Sequence, residues 1–392
     1  MHSINFTDKI FNIDIFACFI ILIISICLFK IIKYLYSYWN RKYFFYSFKK
    51  WIYFEFWPAW FFYIPIIPIY IYLSIKYKNI FIPFYANPEI LNGGLIGESK
   101  WDFLKHLRKN EFYCLPAYKT ERPINKNLIL KILKSKNLNY PFILKPDIGQ
   151  RGYAVRVIHN IDELMNYVNQ ANFSIILQKK SQYENEAGIF YYRYPNEKFG
   201  KIFSITDKKF PFVVGDGKTK LGQLILNDKR AQIIASVYFK RFKEKLFLTP
   251  EKNQIIPLSE CGNHCQGAIF LNGQNLKTDK LEKAIDDIAK TIPHFYFGRL
   301  DIRYKSKQSL MNGMDFEIIE VNGAGSEATH IWDAQTKLKD AYQVLFTQWK
   351  ILFKIGYKVK NLEEIKANIN LKIFLQECYK TFFRKGNFII SS

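Results

Sequence analysis

Residues 298–323 read GRLDIRYKSKQSLMNGMDFEIIEVNG. Two short apolar runs carry charged residues at strand spacing, and a polar, glycine-containing linker joins them. In the first run Arg299, Asp301 and Arg303 alternate with Leu300, Ile302 and Tyr304. The second, Phe316 to Asn322, ends in Glu320 and Asn322, two residues apart. Side chains at that spacing share one face of a strand. If the two runs pair, Asp301, Glu320 and Asn322 converge on one hard cation, with Arg299 beside it. Such oxygen ligands suit Mg²⁺ (or Mn²⁺) that is also held by phosphates. The ion neutralises charge developing on a transferring phosphoryl group. A solvated hairpin with its charges outward is the competing reading of the same alternation. It is awkward here, because Ile318, Ile319 and Val321 leave no single apolar face.

The chain has 392 residues, room for two or three domains, with a net charge of +23 and 18% aromatic residues. Excess Lys and Arg point to nucleic acid, an anionic membrane surface or phosphorylated substrates. There is no Arg-rich helix and no nucleic-acid module, which argues against nucleic acid. Six scattered cysteines form no disulfide framework and fit a reducing compartment. Cys261, His264 and Cys265 offer three soft ligands, but a structural zinc takes four in paired clusters. That stretch reads instead as a loop on the substrate side.

Near the N-terminus, Ile15 to Phe29 is almost unbroken apolar sequence. Carried through Tyr36, with Lys30 and Lys33 snorkelling, it reaches the roughly 20 residues a bilayer requires. Lys30, Lys33, Arg41, Lys42, Lys49 and Lys50 follow with no acid among them, so this side is expected in the cytosol. Residues 51–75 are apolar again but carry Glu55, Pro58, Pro65 and Pro68. A re-entrant or interfacial segment fits them best.

From residue 79 the composition is that of a soluble domain. Residues 101–107 read as a short helix entered through Ser99. Phe142 to Lys145 is a strand running into the loop Pro146–Gly152, and Tyr153 to Ile158 resumes as a strand. Gly149 and Gly152 free the backbone to approach phosphate oxygens, while Lys145 and Arg151 bring positive charge. No P-loop signature is present. Asn160 and Glu163 resemble a capping box, as do Asp279 and Glu282 ahead of an amphipathic helix over 279–289. Strands are expected at 174–178, 189–194 and 212–214, a helix at 221–226, and basic helical sequence beyond Leu338.

Taken together, these pieces over roughly residues 80–335 resemble the ATP-grasp superfamily, in particular D-alanine–D-alanine ligase-like and glutathione-synthetase-like carboxylate–amine ligases. The resemblance implies an α+β fold in which two α+β subdomains clasp ATP, preceded here by a hydrophobic membrane-anchoring region. It implies ATP contacts from Lys145, Gly149, Gln150, Arg151, Gly152, the hinge Gln178, Lys179 and Lys180, the ribose carboxylate Glu186, and Lys218. It makes Asp301, Glu320 and Asn322 the metal ligands, and Arg299 and Lys145 the catalytic cations. The stretches 263–265 and 326–330 are expected on the substrate side, with Asn263, His264, Ser326 and His330 singled out. Two departures stand out: the lobe before the ATP-binding part is short, and the hinge acid of some relatives is Gln178.

The expected organisation is a membrane anchor over 1–78, with one transmembrane helix at about 14–36 and the re-entrant or interfacial segment at about 51–75. A short lobe over 79–130, an ATP-grasp domain over 131–335 and a helical extension over 336–392 follow. The implied activity joins a carboxylate to an amine, or less often a thiol, through an acyl phosphate, at the cytosolic face of a membrane. The substrates are then small carboxylates and amines, membrane-associated in keeping with the anchor. Nothing in the sequence sets an oligomeric state. A phosphotransferase of the same fold and a non-catalytic ATP-binding membrane scaffold are the alternatives.

Overall fold

The computed structural model describes residues 6–107, 112–122, 124–149, 152–259 and 262–383. The chain forms two compact units. The first combines Met1–Tyr53 with Val213–Ile256, and the second combines Phe54–Phe212 with Pro257–Ser392. This division differs from the expected one at three places. Residues 54–78 belong to the same unit as the soluble part, residues 213–256 leave it, and the helix after residue 337 is part of its core.

In the first unit a helix runs from Phe6 to Tyr36 and a second from Tyr38 to Ser47. The stretch Ala17–Tyr36 is long and apolar enough to cross a membrane, and none of it is buried. The same features fit a signal sequence. Trp39 is buried between Phe239 and Phe247 and lies so close to Gly222 that a Cβ there would meet its ring at 2.6 Å. The Tyr43 hydroxyl donates to the Ile233 carbonyl at 2.8 Å. Residues 38–53 and 213–256 thus share one core.

The strands, in chain order, are β1 (Ala117–Thr120), β2 (Phe142–Pro146), β3 (Arg156–Ile158), β4 (Ile175–Lys179), β5 (Asn185–Tyr192), β6 (Lys201–Lys209), β7 (Phe212–Val214), β8 (Ile255–Pro257), β9 (Ile269–Asn272), β10 (Phe297–Tyr304) and β11 (Phe316–Asn322). The second unit is a mixed α+β structure holding two antiparallel sheets. Their orders are β1-β4-β2-β3 and β11-β10-β5-β6-β9. The smaller sheet buries Phe142, Leu144 and Leu177 with Ile129, Leu164 and Tyr167 from the helices Lys126–Ser135 and Ile161–Gln170. The larger buries Leu300, Ile302 and Tyr304 against Phe103, Leu281 and Ile285 of Lys100–Leu107 and Asp279–Ala289. Strand side chains alternate, so the opposite faces of both sheets are left to line a cleft.

Local signals behave as their chemistry dictates, with small corrections. Asn160 accepts from the Glu163 amide at 2.9 Å, but Glu163 returns its bond to the His159 amide, one residue earlier than expected. The helix over 279–289 is capped by Thr278, whose hydroxyl accepts from the Leu281 amide, and Asp279 lies inside its first turn. The strand expected from Tyr153 begins at Arg156, because Gly152 and Ala154 take positive φ in a turn.

Residues 54–76 form short helices, Ala59–Phe62 and Ile66–Lys76 among them. Phe62, Ile66 and Leu73 are buried against Ala341, Leu345 and Phe353 of the helix Leu338–Lys360. Ile67, Ile71 and Ile75 face outward and are exposed. The segment read as re-entrant or interfacial is packed into the second unit along one face, because its apolar residues recur at helical spacing and meet a complementary helix.

Candidate active site

β10 and β11 pair with Arg299 opposite Asn322 and Asp301 opposite Glu320, and the register shifts by one residue after Asp301. Ile319 is the extra residue of this β-bulge. A bulge resets the alternation of its strand. Phe316 and Ile318 before it and Val321 after it are all buried. Glu320 and Asn322 consequently face the cleft with Arg299, Asp301 and Arg303. The apolar pattern that fitted no flat strand is the pattern of a bulged one.

Asp301 sits at the centre of a charge network. Lys208 of β6 donates to its Oδ1 at 2.8 Å, and Arg299 reaches both oxygens, through Nη2 at 3.0 Å and Nε at 3.1 and 3.3 Å. The Asn322 amide donates to Oδ2 at 3.0 Å. Burial opposes ionisation of Asp301, but Arg299 and Lys208 outweigh it and hold the carboxyl well below the usual range. Lys208 also bonds Glu186 at 2.9 Å, and Arg303 closes on the other Glu186 oxygen at 2.9 Å. Gly188 faces Asp301 in the register, and a Cβ there would come within 3.1 Å of Asp301 Oδ1 and 3.2 Å of Arg299 Cδ. Its missing side chain leaves room for the pair.

Across the cleft, Lys145 is buried at the end of β2. It donates to Gln178 Oε1 at 2.7 Å and to the carbonyl of the bulged Ile319 at 2.8 Å. Burial pushes its ammonium down to about 8, with Glu320 opposing and Lys100 adding to the shift. Because Lys145 fixes Gln178 Oε1, the amide nitrogen points elsewhere. That Nε2 is buried among the cleft residues without a hydrogen-bond partner. Lys100 donates to the Gly149 carbonyl at 2.5 Å and lies 3.4 Å from Glu320. Glu98 stands near both; burial raises its pKa, and Glu320 pushes the same way.

Also lining the cleft, Glu55 and His264 Nε2 lie 3.1 Å apart. The imidazole stacks between Phe56 and Trp332, with Phe270 at 5.4 Å. The Glu327 carboxylate accepts from the Tyr63 hydroxyl and, at 2.7 Å, from the Trp332 indole N–H. Glu55, Tyr63, His264, Phe270, Glu327 and Trp332 border, with the charged residues above, one cavity of about 1060 Å³.

Of the expected site residues, the cleft brings together Lys145, Gly149, Gly152, Gln178, Lys179, Lys180, Glu186, Asn263, His264, Arg299, Asp301, Glu320, Asn322 and Ser326. Gln150 and Arg151, like Cys261, lie outside the described residues. Lys218 belongs to the first unit, where its amide donates to Asp216. His330 is not among the lining residues; its Nδ1 is buried without a partner, and burial lowers its pKa.

No family model matches the chain. No curated protein matches it either. Among solved structures it is similar to a D-alanine–D-alanine ligase from Bacillus anthracis, at 14% identity and a TM-score of 0.40, over 69% of this chain and 70% of that one. It is similar to the VanG D-Ala:D-Ser ligase from Enterococcus faecalis, at 14% identity and 0.37, over 66% and 61%. A bifunctional glutathione synthetase from Pasteurella multocida gives 14% and 0.35, over 63% and 36%. The chain thus spans about three fifths of the VanG ligase and about a third of the synthetase. All three similarities are distant, with TM-scores of 0.40 or less.

Sequence reasoning missed Glu55, Glu98, Lys100 and Lys208, took Glu327 only as part of the substrate-side stretch 326–330, and left Arg303 unused. Arg303 was legible, being two residues beyond Asp301 on the same face. A lone acid in an apolar stretch was the available signal for Glu55. Lys208 sits in a strand whose pairing partner is unreadable from spacing, so nothing marked it.

Proposed function

We propose that the second unit is an ATP- and Mg²⁺-dependent carboxylate–amine ligase. The observation that carries this reading is the bulge at Ile319, which sets Glu320 and Asn322 on the face of Arg299 and Asp301, opposite Lys145. Among the described residues, seven Lys and Arg and seven Asp and Glu line the cleft, a balance that suits a polyanion bound together with a divalent cation. The unpartnered Gln178 Nε2 fits an acceptor on a nucleotide base, since a buried donor left unmade is costly. Asn322 turns its nitrogen to Asp301, which leaves its Oδ1, with the Glu320 carboxylate, to hold Mg²⁺. Asp301 joins them only by exchanging one of its present partners. Once bound, the ion screens charge on the phosphates.

The chain's own residues do the remaining work. Lys145 and Lys100 attract phosphate oxygens, and Gly152 supplies the turn that brings backbone near them. Asp301 holds Arg299 with its guanidinium over the cleft, where it stabilises negative charge as the substrate carboxylate takes the phosphoryl group and as the amine displaces phosphate. The test is ADP and phosphate release by the full chain with ATP, Mg²⁺ and pooled carboxylates and amines. Amine-dependent release that falls at least about a hundredfold in Glu320→Gln supports the reading. Release of ADP without phosphate, or an unchanged variant, overturns it.

We also propose that Ala17–Tyr36 anchors the chain in a membrane, with the basic segment after it on the cytosolic side. Full-length protein should then resist alkaline carbonate extraction. Recovery in the supernatant, or an intact mass lacking the first 36 or so residues, would remove the anchor.

A further inference from the structure

The part of the cleft around Glu55, His264 and Glu327 holds residues to which the mechanism above gives no role. Glu55 comes from a segment whose sequence is otherwise apolar and aromatic, and its side chain is only 4% exposed. It meets His264, from a loop 209 positions away. Glu327 follows the Asn322 turn by five residues and is held by Tyr63 and Trp332. Both of these donors are neutral and orient the carboxylate; the cation that feels its charge is Arg299, whose pKa Glu327 helps to raise. The walls are aromatic: Trp57, Tyr63, Phe270 and Trp332 all border this part of the cavity. Arg299 marks its inner edge, with Nη1 at 3.3 Å from the Glu327 carbonyl.

Oriented carboxylates between aromatic faces attract organic cations. Ring quadrupoles favour positive charge, and the low-dielectric walls strengthen its attraction to the acids. A carboxylate substrate would be repelled there and belongs nearer Arg299 and Lys145. At about 1060 Å³ the cavity is at the upper end of the range for a single small-molecule pocket. It has room for a second ligand beside a nucleotide.

We propose that this chamber is the subsite for the amine substrate, which binds as a primary ammonium between Glu327 and the Glu55–His264 pair. The proposal rests on the ligase reading for the word substrate, but the cation site stands on its own geometry. The segment 54–63, read from sequence as membrane-associated, becomes a wall of the active site.

The test separates the two. Ethylammonium chloride is titrated into the full-length protein at constant ionic strength, following tryptophan fluorescence, with potassium chloride and neutral propionamide as controls. Trp332→Phe identifies the part of the signal that comes from the chamber. Saturable quenching by ethylammonium alone, weakened about ten- to a hundredfold in Glu327→Gln, is expected. Glu327→Gln is accepted only if it keeps wild-type thermal unfolding; otherwise Glu55→Gln takes its place, with the same expectation. In the ligase assay the same variant should raise KM for the amine and leave KM for ATP unchanged. Absence of saturable quenching, or equal affinity in a folded variant, overturns the subsite. Quenching with no amine-dependent ADP release from any pool supports the cation site and overturns the ligase reading instead.

Discussion

Lys145 shows how one side chain serves structure and chemistry at once. Its folded pKa of about 8 lies below the 10.5 of an exposed lysine, chiefly through burial. Between those values the unfolded chain binds more protons than the folded one. Stability therefore rises with pH across that window, by up to about 3 kcal/mol from this group. Urea midpoints taken from pH 7.5 to 10.5 should rise in the wild type relative to Lys145→Met. Function runs the other way, because only the ammonium attracts phosphate. ATP affinity of the free protein should weaken as pH passes about 8, and Lys145→Met should be weaker throughout and flat over that range. Lys145 was legible as a cation beside a glycine loop. Its grip on the Ile319 carbonyl was not, because that contact joins residues 174 positions apart.

At the scale of elements, the strands that carry the expected site were readable, while β1, β6, β8 and β9 were not. β2, β4, β10 and β11 fall where apolar alternation placed them, within a residue or two. The bulge at Ile319 breaks the period that alternation depends on, and it is what puts the acids on the cleft face. Helical spacing in 54–76 was equally readable as apolar, but its partner was not. Phe62 is fully buried, stacked 5.2 Å from Tyr342 and tilted against Trp332 at 4.5 Å, which in turn holds Glu327. Phe62→Ala should cost about 3–5 kcal/mol in chemical denaturation, because the rigid aromatic cluster cannot collapse onto the space.

At the scale of the molecule, the unexpected feature is that residues 213–256 fold with the N-terminal segment. The first unit holds sixteen Lys and Arg against six Asp and Glu in a quarter of the chain, so it carries +10 of the net +23 at a higher density than the rest. Its core depends on the close approach of Gly222 to Trp39. Gly222→Val should lose that packing, seen as rapid protease cleavage within 213–256 under conditions where the wild type resists. Resistance equal to wild type would mean that the two segments are held together by other contacts.

The sequence by itself determined the α+β character, the long apolar helix near the N-terminus and the chemical types at the site, because these follow from period, composition and residue identity over short spans. Tertiary structure alone decided which carboxylates are already paired, as Asp301 and Glu186 are through Lys208, and which stretches share a core. Both outcomes depend on groups that are distant in sequence and close in space. Burial and charge pairing act through that closeness, which local patterns do not encode.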